Sequence, residues 1–133
     1  MTWVAIAVGG ALGAAARFGI AVLWPAAAGS FPWPTFWVNI AGSLVLGCAL
    51  ILLIERFPPT RFLRPFIATG FLGAFTTYST FAVETDLLVV DGRLLLAAGY
   101  VVGTLVAGLV ALWAGVLLGR VVAVRGRVQR TRT

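Results

Sequence analysis

Between Gly70 and Glu84 the sequence reads Gly-Phe-Leu-Gly-Ala-Phe-Thr-Thr-Tyr-Ser-Thr-Phe-Ala-Val-Glu, so Thr76, Thr77, Ser79 and Thr80 bring four Ser/Thr hydroxyls into five positions of an apolar stretch. A polar group left unsatisfied in hydrocarbon is strongly destabilising, so clustered hydroxyls and helix-loosening glycines at membrane depth are expected where the chain lines a cavity or touches an ion. Gly73-Ala74-Phe75-Thr76-Thr77 is poor helix-forming sequence and predicts a break. A break frees carbonyl oxygens, which a cation can satisfy. Just beyond it, Tyr78 and Phe81 stand three residues apart on one face. Aromatic edges carry partial positive charge, so an edge-on ring can contact an anion, although packing is the commoner use of such a pair.

Two further ladders carry polar groups into apolar segments. Asn39, Ser43 and Gly47 follow at i, i+4 spacing with Thr35 one turn earlier, and Tyr100, Thr104 and Gly108 repeat the pattern near the C-terminus. These sets offer donors and no fixed negative charge, which suits an anion better than a cation. The competing use of Asn and Thr is as hydrogen-bond glue between helices, worth about 0.6 kcal/mol per bond. Ala5, Gly9, Gly13 and Arg17 form a third stripe, and Gly99, Gly103 and Ala107 a fourth. Small faces of this kind let helices approach closely in lipid, where no hydrophobic drive joins them.

The elements that must hold these residues are membrane spans. Of 133 residues 61% are hydrophobic, against ten Arg, no Lys and four acids, and the mean hydropathy is +1.04. With roughly 20 apolar residues needed per span, four helices are predicted, at about Thr2 to Trp24, Pro34 to Ile54, Phe62 to Val90 and Leu94 to Gly119, the third of them broken. The fold class is an all-α integral membrane protein. Residues 1–119 make a four-helix transmembrane domain and 120–133 a basic cytoplasmic tail, with no room between spans for a soluble domain. The first helix reads as a retained span, because no Arg or Lys precedes its apolar run and Arg17 interrupts it. Cys48 is the only cysteine and there is no His, which excludes disulfides within the chain and His-based metal or acid-base sites. The net charge of +6 is concentrated at the C-terminus, in Arg120, Arg125, Arg127, Arg130 and Arg132. Directly after a span such a run reads as an anchor on anionic membrane lipids and not as a nucleic-acid site.

Taken together these residues match a known family: the chain resembles the Fluc (CrcB) fluoride channels over almost its whole length. The parts that carry the match are Gly9-Gly10 with Gly13 and Arg17, Thr35 with Val38-Asn39 and Gly42, and the string Gly73 through Glu84. The resemblance implies an antiparallel dimer of four-helix subunits with two narrow pores that pass fluoride and reject chloride, and one structural sodium buried at the dimer axis. It places the backbone carbonyls of Gly73 and Thr76 at the sodium and Asn39 and Phe81 on the fluoride path. Thr35, Tyr100, Thr104 and Glu84 fall at further polar or pore-end positions, and Arg17 where an arginine draws anions toward a vestibule. The hydroxyls of Ser79 and Thr80 are assigned to the same path. Two departures stand out. Tyr78 replaces the usual first Phe of the ring pair, and Gly108 stands where a serine is often found.

Export of toxic fluoride down its gradient, without an enzyme activity, is the function so implied. A small-multidrug-type antiporter needs a carboxylate in its first helix, and no Asp or Glu precedes Glu55. A non-conducting accessory subunit would leave the donor ladders without a purpose. The arginine distribution places both termini in the cytoplasm of a cell-membrane protein. Because an antiparallel homodimer needs a chain that inserts both ways, the partner is either an identical chain or an oppositely oriented homologue.

Overall fold

The computed structural model describes residues 1–55 and 62–130, with side chains as far as Val124, and over that range the secondary structure is helical throughout. Helix α1 spans Thr2–Leu23 and α2 spans Trp33–Glu55. Next, α3 begins as a wide π-helix over Pro65–Leu72 and closes with a single α turn, Gly73–Phe75. After three residues outside any helix come α4, Ser79–Val90, and α5, Leu94–Arg130. With α3 and α4 counted as one bent span, four helices are long and apolar enough to cross a membrane. Many large apolar side chains are exposed, Leu95, Leu23 and Trp3 among them, as befits a multi-pass protein whose solvent is lipid.

Local chemistry explains the ends. Pro25 disfavours helix at Trp24 and stops α1, while α2 carries Pro34 in its first turn, where a missing N–H is harmless. α4 stops at Asp91-Gly92. Gly92, at φ +73°, takes the left-handed turn, and the N–H groups of Gly92 and Arg93 return to Val89 and Leu88 at 2.9 Å each. The wide turns of α3 start at Pro65, and the N–H of Gly73 still reaches five residues back to Ala68. Such turns recur at functional sites.

The most extensive packing joins α2 to α5 and α1 to α3. Each pair runs parallel. On α1, Gly9, Gly13 and Arg17 meet Phe66, Phe71 and Ala74 in rising order, and a methyl group at Gly13 would collide with the Phe71 carbonyl oxygen. Between α2 and α5, Gly47 faces the Leu112 carbonyl and Gly115 the Leu44 carbonyl. The first small-residue stripe is therefore a packing face. The stripe expected on α5 is not one within this chain, since nothing lies within 4 Å of a Cβ built at Gly99 or Gly103. The inward face of α5 is turned one residue further, through Ala97, Tyr100, Thr104, Ala111, Gly115, Gly119 and Ala123. The closest approach to α2 needs glycine at 115 and 119, and those positions fix the rotation.

Helix α5 also continues past Gly119 to Arg130, because Arg120 is followed by Val-Val-Ala-Val and a single arginine does not stop a helix. Arg64 turns back onto α2 and donates from Nε and Nη2 to the Leu53 carbonyl, at 3.1 and 2.8 Å. Arg56, Arg61 and Arg132, counted in the charge distribution, lie outside the described residues, as do the side chains of Arg125, Arg127 and Arg130.

Candidate functional site

The third span breaks at Thr76–Tyr78, and α2 holds the break open. Asn39 Nδ2 donates to the Thr77 carbonyl at 3.1 Å, and its Oδ1 accepts the Thr77 N–H at 2.9 Å. Three positions further along α2, Gly42 has no side chain, which lets the Thr76 methyl and the Phe75 ring lie against the helix. This clamp reroutes the backbone. In an unbroken helix the Thr77 N–H would serve Gly73 O and the Thr80 N–H would serve Thr76 O. Here the first goes to Asn39 and the second to Thr77 Oγ1, at 3.1 Å. Thr77 Oγ1 in turn donates to Thr80 Oγ1 at 3.0 Å. Gly73 O and Thr76 O thus lose their helical donors, while Ala74 O between them receives Arg17 Nε at 3.2 Å. Neutral carbonyl oxygens released in this way are the donor type that suits a hard monovalent cation. Among the described residues no cluster of three or more His, Cys, Asp or Glu side chains could hold a metal.

On the α5 side of the break runs an open groove of about 330 Å³, lined by Asn39, Ser43, Thr77, Tyr78, Phe81 and Thr104 among others, with no carboxylate on its walls. Thr104 Oγ1 is buried without a hydrogen-bond partner. Phe81 is buried and packs on Tyr100, with ring centroids 5.1 Å apart. The Tyr78 ring lies 6.1 Å from that of Phe81 but is 80% exposed, so it reaches out from the chain toward its surroundings.

Beyond Phe81 the polar groups converge on a carboxylate. Thr35 Oγ1 donates to Glu84 Oε1 at 2.7 Å, and the Tyr100 hydroxyl donates to Glu84 Oε2 at 2.6 Å. Tyr100 is fully buried, and Phe31 packs edge-on against it at 5.2 Å. Glu84 and Asp91 then face a second cavity of about 230 Å³ under the loop around Gly29.

The residues singled out from the sequence therefore fall into separate groups. Asn39, Tyr78, Phe81 and Thr104 share the groove. Thr35, Tyr100 and Glu84 form one hydrogen-bonded set at its end. Arg17, Thr35 and Thr80 line a small cavity of about 30 Å³ on the α1 side, where the Arg17 guanidinium is bound to the break. Ser79 is exposed, its hydroxyl 3.3 Å from Thr77 Oγ1. Two residues noted in the sequence were given no role of their own. Thr77, one of the four clustered hydroxyls, is the hub of the break. Ser43, marked by its i+4 spacing from Asn39, faces the groove.

A sequence profile for the family described as CrcB-like protein, Camphor Resistance (CrcB), matches residues 4–116. Fluoride-specific ion channel FluC 3 of Streptomyces avermitilis is 46% identical over 121 residues, which is 91% of this chain and 59% of that relative. FluC 1 of Streptomyces coelicolor is 46% identical over 81% of this chain and 70% of its own length. FluC of Paracoccus denitrificans is 44% identical over 90% of this chain and 94% of its own length. The chain thus spans about three-fifths of the length of the first relative and nearly all of the last.

Proposed function

The chain belongs to the CrcB family, and from that membership we propose that it is a fluoride-specific ion channel, which lets fluoride leave the cell passively and rejects chloride. The observation that carries the proposal is the groove beside the break: amide and hydroxyl donors and ring edges at membrane depth, with no carboxylate until Glu84. Fluoride is small and strongly hydrated, so a pore must replace its water with several close donors. Thr104 lines the groove, and its hydroxyl, buried without a protein partner, would serve as such a donor once its side chain turned toward the groove. Chloride is larger and holds its water less tightly. It gains less from such donors and needs more room.

The groove is open on one side, and lipid would leave its polar wall unsatisfied. A second subunit covering it is the arrangement that removes this cost, and Tyr78, which projects from the chain, is placed to meet that subunit. The dimer is antiparallel in this reading. The carbonyls of Gly73 and Thr76, which lost their helical donors, fit a structural sodium between the subunits. The ion would supply a fixed positive charge that pins the two breaks together. One chain offers two carbonyls and its copy two more, so a dimer completes a coordination set that a monomer cannot.

The test is efflux from proteoliposomes that contain the purified protein, followed with fluoride-selective and chloride-selective electrodes. Fluoride is expected to leave rapidly once the potential is collapsed, and chloride at the rate of protein-free vesicles. Equal efflux of the two anions would overturn the proposal.

A further inference from the structure

We propose that the hydroxyl of Ser43 is a further fluoride-contacting group, forming with Thr104 a two-hydroxyl station in the groove; this assignment rests on the channel reading above. Ser43 lies one helical turn beyond Asn39 on α2 and lines the same groove as Asn39 and Thr104. Directly across, on α5, stands Gly108. A Cβ built there would find Ser43 Oγ, at 3.7 Å, as its nearest neighbour. The missing side chain at position 108 is what leaves this hydroxyl open to the groove.

Most other hydroxyls in the spans are satisfied within the chain; Thr69 on α3 is not, but it lies on an exposed face away from the groove. Thr76 and Thr85 return their hydroxyl protons to the carbonyls four residues earlier, Leu72 and Phe81, at 3.0 and 2.8 Å. Thr35 donates to Glu84 and Thr77 to Thr80. Among the described residues none takes a hydrogen bond from Ser43, and none takes one from Thr104. If Ser43 were glue between α2 and α5, it would bond across the helix pair, but the residue it faces there has no side chain. Two unpartnered hydroxyls on opposite walls of one groove, with an amide a turn away, instead suit a small anion that accepts several hydrogen bonds at once.

Fluoride efflux should be measured with a fluoride electrode on proteoliposomes of wild type, Ser43→Ala, Ser43→Thr and the double variant Ser43→Ala/Gly108→Ser, each checked for native elution by size exclusion. Loss of one hydrogen bond to an ion should slow Ser43→Ala about tenfold. Ser43→Thr keeps the hydroxyl and should conduct near the wild-type rate. The double variant returns a hydroxyl to the same space from the opposite helix and should regain most of the flux. Undiminished efflux in Ser43→Ala overturns the assignment, and so does a slow Ser43→Ala that neither Ser43→Thr nor Gly108→Ser repairs, which would mark a packing role. In both cases the wild-type protein still conducts fluoride, so the channel reading stands. If the wild type itself passes no fluoride, both readings fall.

Discussion

An amide side chain can accept the N–H at its oxygen and donate from its nitrogen to the C=O of the same residue, and Asn39 does both to Thr77. Asparagine at this position thereby opens the third span and sets its own remaining N–H beside the groove. Aspartate could still accept the N–H but would face the Thr77 carbonyl without a proton. It would also place a negative charge on the wall of the groove, and on the proposed fluoride path repulsion at about 4 Å amounts to roughly 4 kcal/mol at an effective dielectric of 20. Asn39→Asp should therefore cut fluoride efflux by about a hundredfold or more. Efflux within twofold of wild type would put Asn39 off the path. The i, i+4 ladders made Asn39, Thr35, Tyr100 and Thr104 legible as donors, since helical spacing is written in the sequence. Their acceptors were not legible. Thr35 and Tyr100 both donate to Glu84, 49 and 16 residues away, and nothing local in the chain announces a partner at that distance. Nor does sequence say which backbone groups a break will expose, and for that reason Thr77, though named among the clustered hydroxyls, was given no role of its own.

Among the elements, the spans were readable because hydropathy and proline placement act locally, and a break near Gly73–Thr77 was readable because that stretch propagates a helix poorly. The π-helical turns over Pro65–Leu72, which lie against the glycines of α1, were not, since local propensity does not separate π from α turns. Rotation about a helix axis is equally a tertiary property. Two glycine stripes on α5 compete for the inward position, and the one that meets α2 wins. Close approach also predicts where substitution is tolerated. Gly13→Val on α1 drives methyl groups into the Phe71 carbonyl, and overpacking of this kind typically destabilises by about 1–3 kcal/mol. Gly19→Ala on the same helix meets nothing within 4 Å and should be neutral or gain up to about 1 kcal/mol from helix propensity. Thermal unfolding in detergent, followed by loss of the monodisperse peak, should show a lower midpoint for Gly13→Val only. Equal midpoints for the two variants would mean that α1 and α3 are held apart in solution.

At the scale of the whole molecule, the proposed dimer closes the groove with a second subunit, and the charges bear on which one. Eight of the ten arginines, Arg56, Arg61, Arg64, Arg120, Arg125, Arg127, Arg130 and Arg132, fall on the side of the two termini if four spans are threaded in order. Arg93 and Arg17 fall toward the other side. Arginines close to span ends dominate orientation, and Arg64 and Arg120 are close. Arg64 is bound to the last turns of α2, which places its charge at that membrane face. We infer that the chain inserts mainly with both termini in the cytoplasm, where the basic C-terminal residues meet anionic lipid. In a cell, an antiparallel pair would then draw its other half from a homologue of opposite charge bias, because a chain that enters one way supplies one orientation, whereas chains purified in detergent are free to pair with their own copies. The expected result is one-sided labelling of Gln129→Cys, in a Cys48→Ala background, by a membrane-impermeant thiol reagent. Label should be blocked in intact cells expressing this chain alone and appear only after permeabilisation. Comparable labelling of the tail from both sides of intact cells would instead establish that a single sequence inserts both ways and supplies both halves of the dimer.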